Sequence, residues 1–142
     1  MSSQLEMHRV ATEERMLAGE GLAGRVFDAA RLDAKGGLVR DNYLIIRITR
    51  DSLGDDRLAA PQLPDSDAEY YIDVRAVATT PAGARLLLTS ADAQLLEGPL
   101  LVRQRKCTRP VCDVIRPMDT DMSVTPPLFY VDAGYSFGSR RA

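Results

Sequence analysis

The sequence predicts an α+β domain in which an antiparallel sheet of four to five strands carries helices on one face. Its elements follow the order helix, two or three strands, helix, two or three strands, which is typical of this fold class. Two of the strands alternate apolar and polar residues, and such a pattern places one face of each strand in a core. A chain of 142 residues with 45% hydrophobic residues suffices for one such domain, residues 1–142.

The N-terminal segment, residues 1–20, predicts a helix over 3–18. Ser2 or Ser3 can cap its start, and Gly19 ends it. Its apolar residues form an imperfect stripe that consists of Leu5, Val10, Met16 and Leu17. Arg25–Asp28 is predicted to form a short strand after it.

The two clearest strands are Asn42–Arg50 and Tyr70–Ala78. In the first strand, Leu44, Ile46 and Ile48 share one face. In the second strand, every other residue from Tyr70 to Ala78 is apolar. We therefore expect the two strands to pair and to bury these faces together.

The second helix is predicted between Thr80 and Gly98. Thr80 is a typical N-cap residue, and Pro81 suits the first helical position. One stripe at helical spacing is expected to pack on the sheet, and it consists of Ala84, Leu87, Leu88, Ala91 and Leu95.

The C-terminal third returns to strand character. The predicted strands are Leu100–Arg103, Val111–Arg116 and Pro127–Asp132, the last continued by Tyr135 and Phe137. Asp119–Ser123 reads as a polar turn. Pro126 and Pro127 must stand at the start of a strand, because proline cannot donate to a ladder. Residues 139–142 are expected to form a flexible tail.

Residues that would support catalysis, cofactors or metals are scarce. The sequence has no glycine-rich phosphate-binding loop and no serine-nucleophile motif. Its single histidine, His8, lies in the N-terminal segment, which is a poor place to orient a catalytic base. Cys107 and Cys112 lack two further zinc ligands, so they read as reduced cysteines in or beside a strand. We therefore predict no enzyme, no cofactor and no metal.

Charge and hydropathy exclude further classes. The net charge of −2 argues against a surface built as a whole to bind DNA. No run approaches the roughly 18 apolar residues of a membrane helix. The first residues lack the basic and apolar regions of a signal peptide, which predicts synthesis and assembly in a cytoplasm.

One basic cluster stands out locally, and it consists of Arg103, Arg105, Lys106 and Arg109. It reads either as a solvated strand end or as a contact for a polyanion or another subunit. This cluster supports an alternative function, that of a small α+β module that binds nucleic acid or another protein.

One motif resembles a known family. The segment Arg116-Pro-Met-Asp-Thr-Asp-Met-Ser-Val-Thr-Pro-Pro-Leu-Phe-Tyr-Val-Asp132, followed by Tyr135 and Phe137, resembles the tail terminator (tail completion) proteins of long-tailed bacteriophages. The order of the preceding elements is also similar, so the resemblance covers roughly residues 40–138.

The resemblance implies a structural protein of the virion with no catalytic residues. Proteins of this family form a homohexameric ring on the tail tube, end its polymerisation and present a docking face to the head-completion (connector) protein. The implied partners are therefore other copies of this chain, the tail tube protein and the connector protein. Genomic DNA would pass through the ring without sequence-specific binding, and no membrane would be involved.

The connection 52–69 between the two clearest strands is long and acidic. Asp55, Asp56, Asp65 and Asp67 are expected to face the channel lumen or a neighbouring subunit. An acidic lumen wall would repel DNA phosphates and let the genome slide. The alternative is a solvent loop without a role.

Overall fold

A computed structural model describes residues 3–52 and 67–142, and the described part confirms the α+β class. Its two helices and seven strands are α1 (Gln4–Leu17), β1 (Val26–Phe27), β2 (Tyr43–Ser52), β3 (Ala68–Ala78), α2 (Pro81–Leu95), β4 (Arg105–Cys107), β5 (Val111–Ile115), β6 (Asp119–Asp121) and β7 (Leu128–Arg141).

The sheet differs from the predicted antiparallel sheet of four to five strands. The described strands form a seven-stranded sheet in the order β1-β2-β3-β7-β4, and β5 and β6 also pair with β7. β1 pairs parallel to β2, so the sheet is mixed. The strand count is higher because β4, β5 and β6 pair in turn with successive parts of one edge of β7. Three short strands thus occupy one strand position.

Both helices cover the same face of the sheet, here called the inner face. The predicted stripe of α2 is buried from Ala84 to Leu95, and Thr80 caps this helix by accepting a hydrogen bond from Gly83 N at 3.1 Å. The alternating residues of β3 from Tyr70 to Ala78 are buried in the same core, together with Leu44 and Ile46 of β2. Periodicity alone therefore located most of the core.

The first helix presents a different face to the core from the one its apolar residues suggested. Its buried residues are His8, Thr12 and Met16, whereas Leu5 and Val10 are exposed. Polar residues can face inward here because each finds a hydrogen-bond partner, as in the bond that the Thr12 hydroxyl donates to His8 O at 2.8 Å.

The opposite face of the sheet, here called the outer face, is not polar throughout. Near the start of β2, Tyr43 and Ile45 are buried with Val77 and Leu128 in a second apolar cluster. Phe27, at the end of β1, and Val124, in the segment before β7, pack against this cluster and cover it. Both faces of the sheet are therefore apolar at this end.

Three predictions in the C-terminal third were wrong in detail. Leu100–Arg103 is not a strand; Leu100 and Val102 are buried, and a turn through Gln104 leads into β4. Part of the predicted polar turn, Asp119–Asp121, forms β6 instead. The expected flexible tail 139–142 is mostly strand, because β7 runs to Arg141 and pairs there with β4.

Replacing both Pro126 and Pro127 by alanine should lower the melting temperature. β7 begins directly after them at Leu128, and Pro126 O accepts a hydrogen bond from the Arg40 guanidinium. The two prolines hold the chain extended where the pairing of β7 starts and also restrict the unfolded chain, so we expect a loss of about 3–6 °C for the pair and a smaller loss for a proline in a connection. Calorimetry would measure this loss, with Pro117→Ala, an exposed proline between β5 and β6, as the control. A double variant that melts like the wild type but no longer assembles would instead make this segment an interface.

Candidate interaction surface

The middle of the outer face is a polar surface built from alternate residues of three long strands. The register places Arg47, Asp73 and Gly134 side by side in one row across β2, β3 and β7, with Val114 of β5 next to Gly134. Arg75 and Asp132 form part of the adjacent row. Neither of the two described helices covers these rows, because both pack on the inner face.

These rows line a cleft of about 290 Å³, here called the outer cleft. Its charged residues are Arg47, Asp73, Arg75, Arg116 and Asp132. Ile45, Val74, Val114, Ala133 and Gly134 complete the lining. The cleft therefore combines three guanidinium groups and two carboxylates with a small apolar floor.

One ion pair fixes the geometry of the cleft. Arg75 donates two hydrogen bonds to the carboxylate of Asp132, from Nε at 2.8 Å and from the terminal nitrogen Nη2 at 3.0 Å. This bidentate contact raises the pKa of Arg75. The Arg75 guanidinium also lies 4.3 Å from the centre of the Tyr130 ring, and the Tyr130 hydroxyl donates to Asp119 at 3.1 Å. Arg75 is thus held from two sides in a single position.

The outer face becomes acidic towards the end of β2. Asp51 and Glu69 lie directly opposite each other on β2 and β3. Tyr71, which is partly exposed in the neighbouring row, has a raised pKa, first because of Glu69 and also because of Asp51 and Asp113. The surface therefore changes from arginine-rich to carboxylate-rich over a few residues of strand.

The basic cluster predicted as a contact does not form one surface. Arg103, Lys106 and Arg109 are exposed, but Arg105 is buried. The Arg105 guanidinium donates to the hydroxyl of Ser139 at 2.9 Å and to Ser139 O at 3.0 Å. Arg105 therefore belongs to the interior and cannot act as a surface contact in this arrangement.

The acidic connection falls largely outside the described residues. Asp55, Asp56 and Asp65 lie outside them, whereas Asp67 directly precedes β3. Its carboxylate accepts a hydrogen bond from Arg141 N at 3.3 Å. The ends of the predicted loop 52–69 belong to strands, since β2 includes Ser52 and β3 includes Ala68 and Glu69.

The side chains of His8 and Ser139 are hydrogen-bonded in the interior, at a distance that also suits a catalytic base and a serine nucleophile. His8 Nε2 lies 2.8 Å from the Ser139 hydroxyl oxygen, and His8 Nδ1 lies 2.6 Å from Gln4 O. Because a carbonyl only accepts, Nδ1 carries the proton and Nε2 accepts from Ser139. His8 is 0% and Ser139 is 1% exposed, and the His8 ring stacks on Tyr70 at 3.9 Å. Both groups are buried, and their hydrogen bond joins α1 to β7.

The buried position of His8 makes the stability of the fold depend on pH. Burial lowers the pKa of His8, and the nearby Arg105 and Arg50 lower it further, against the hydrogen bond to Gln4. In the unfolded chain the same group has a pKa of about 6.5. As the pH falls below that value, His8 binds a proton in the unfolded state but not in the folded state. The free energy of unfolding therefore decreases with acidification.

Denaturant unfolding at pH 7.5 and at pH 5.5 measures this dependence against a His8→Gln variant. We expect the wild type to lose about 1 kcal/mol more than the variant over this interval, because carboxylates titrate alike in both proteins. Equal losses in the two proteins would show that His8 does not titrate on unfolding as described.

The two cysteines are free and lie on different strands. Cys107 belongs to β4 and is half-buried, whereas Cys112 belongs to β5 and is exposed. Burial raises the pKa of both thiols.

In the described part of the chain, no three histidine, cysteine or carboxylate side chains lie close enough together to hold a metal ion. Neither described helix is long and apolar enough to cross a membrane.

Sequence reasoning did not identify the outer cleft. Arg47, Asp73 and Arg75 are visible in the sequence as the polar positions of two strands, but their convergence with Arg116 and Asp132 depends on strand order.

Comparison with known proteins identifies no relative, because no protein-family model and no curated protein matches the chain.

Proposed function

We propose that this chain is the tail terminator of a long-tailed bacteriophage. In this role it caps the tail tube as a hexameric ring, ends tail polymerisation and forms part of the interface with the head connector. The observation that carries the proposal is the segment from Arg116 to Asp132, with Tyr135 and Phe137, which resembles that family.

The position of this segment in the fold is consistent with a family motif that specifies structure. It spans β6 and the start of β7, the strand that pairs with β3, β4, β5 and β6. Val124 packs against the second apolar cluster, and the Tyr135 hydroxyl donates to Asp92 of α2 at 2.7 Å. Residues of the segment thus connect both faces of the sheet to the rest of the domain.

A closed ring of identical chains requires two different surfaces that fit each other. The sheet offers two such surfaces at its opposite edges. Among the described strands, β5 pairs with β7 alone, and residues 46–52 of β2 pair with β3 alone. On β5, Val111 is 54% and Ile115 is 57% exposed. An open strand with exposed apolar residues is a natural template for pairing with another chain.

The strand directions are compatible with a ring. β2, β3, β7 and β5 are successive antiparallel neighbours, so β5 and β2 run in opposite directions. A rotation about an axis parallel to the strands leaves those directions unchanged. β5 of one copy would therefore meet β2 of the next copy as an antiparallel pair, which is the more favourable arrangement.

The alternative function, a binding module that uses the basic cluster, receives less support. Arg105 lies in the interior, which leaves three exposed cations around a buried one. The proposed partners are accordingly the tail tube protein and the connector protein, with DNA passing through the ring in the virion.

A stop codon in the gene, placed in the virus that encodes it, tests this function. We expect filled heads together with unjoined tails of variable and excessive length, because nothing would end tube growth. Supplying the wild-type chain in trans should restore joined particles with tails of uniform length. Tails of normal length joined to heads without the protein would overturn the proposal.

A further inference from the structure

We propose that the outer cleft binds the carboxylate groups of an acidic segment of another protein. The cleft contains charges that have no ion-pair partner among the described residues. Within residues 3–52 and 67–142, Arg47, Asp73 and Arg116 take part in no ion pair, whereas Arg75 is paired with Asp132. The inference rests on this cleft alone and does not require the ring.

The arginines approach the cleft from different strands. Arg47 belongs to β2, and Arg116 directly follows β5, where its backbone N donates to Asp132 O at 2.9 Å. Arg75 lies between them on β3 and is held by Asp132 and Tyr130. Because Asp132 takes only two of its five N–H donors, Arg75 retains donors for a ligand in a fixed orientation. A preorganised arginine loses little entropy on binding.

A carboxylate side chain fits the chemistry of this cleft. Guanidinium groups bind carboxylates through paired, charge-assisted hydrogen bonds. The volume of about 290 Å³ accommodates a side chain or two of an extended segment. Val114, which is 43% exposed, offers apolar contact to the methylene groups that carry a glutamate carboxylate. No described helix lies over the middle of the outer face, so an extended chain can lie across its strands as far as the described residues extend.

Nucleic acid fits this surface less well, although phosphates also bind arginine. Asp73 and Asp132 line the same cleft, and Asp51, Glu69 and Asp113 lie further along the outer face. A polyanion with regularly spaced phosphates would lie over these carboxylates and be repelled. A protein segment can place its acids at the arginines and other residues elsewhere.

Fluorescence polarisation with a labelled, terminally blocked peptide that carries two glutamates separated by uncharged residues tests the proposal. We expect binding at about 20 mM salt that weakens at about 500 mM salt, since screening reduces exposed ionic contacts. The variant Arg47→Gln/Arg116→Gln should bind the peptide about tenfold or more weakly, because two charged hydrogen-bond donors are lost. The matched control is Arg103→Gln/Arg109→Gln, which removes two exposed arginines outside the cleft.

Three further measurements decide between the outcomes. Circular dichroism and light scattering of each variant separate loss of binding from loss of folding or assembly. A charge-reversed variant, Arg47→Glu/Arg116→Glu, should bind the matching peptide with lysines in place of its glutamates. Equal weakening by the control variant, or none by the cleft variant, would overturn the proposal. So would tighter binding of a 12-base-pair duplex that depends on Arg47 and Arg116, because the cleft would then be a phosphate site.

Discussion

Replacing Ile46 by alanine should lower the free energy of unfolding by about 2–5 kcal/mol, because the change deletes buried methyl and methylene groups from a packed core. Ile46 is 2% exposed and belongs to the inner-face core, where its strand position faces Val74 across the β2–β3 pair. The surrounding strands are long and paired, so they cannot collapse easily into the cavity.

Urea unfolding of the two proteins measures this loss. Thr49→Ala, an exposed position on the same strand, is the matched control and should cost less than about 1 kcal/mol. A loss below about 1 kcal/mol for Ile46→Ala would mean that the faces of β2 are reversed, since a slip of one residue exchanges them.

Charging the open edge of the sheet should abolish ring formation while the fold persists. The variant Val111→Lys/Ile115→Lys places two ammonium groups on β5, where both native side chains are more than half exposed. Lysine on an edge strand opposes pairing with another chain, because its charge would have to lose water. We therefore expect a stable monomer in place of the proposed hexamer.

The control for this variant is Leu86→Lys, on the outward side of α2. Leu86 is 70% exposed, so its replacement changes surface hydropathy in the same way at a place outside the sheet edges. Light scattering should give a hexamer for Leu86→Lys and a monomer for the β5 variant, and circular dichroism should show that both variants remain folded. A β5 variant that still forms hexamers would exclude this edge as the subunit interface.

The local sequence pattern was sufficient to predict the elements in which capping residues, periodicity and burial agree. Thr80 and Pro81 mark the start of α2, its apolar stripe has helical period, and the structure has both the helix and its buried face as predicted. The alternation in β3 likewise located its buried residues from Tyr70 to Ala78. In these elements propensity, capping and burial point to the same structure.

Local pattern failed where a distant part of the chain decides the outcome. The segment Leu100–Arg103 is apolar enough for a strand, but pairing with the end of β7 begins only at Arg105. The inward side of α1 is decided by Ser139, which gives His8 a hydrogen bond across 131 positions of sequence. Both contacts are tertiary, so composition and spacing carry no sign of them.

The outer cleft could be predicted only in part for the same reason. The alternation in the sequence places Arg47 and Arg75 on the polar sides of their strands, and Arg116 and Asp132 are visible as charged residues near the C-terminal strand. It does not say that β7 lies beside β3 with Asp132 opposite Arg75. Strand order and register bring the five charged residues together, and neither is encoded within a single strand.

Light scattering of the purified chain over a wide concentration range is the most direct test of whether this protein forms a terminator ring. We predict a species with six times the chain mass of 15.6 kDa that stops growing at that size, because a ring closes and leaves no free edge. Electron microscopy of the same sample should show rings with six-fold symmetry. A chain that stays at 15.6 kDa at every concentration, or that grows without limit into fibres, would contradict the proposed ring.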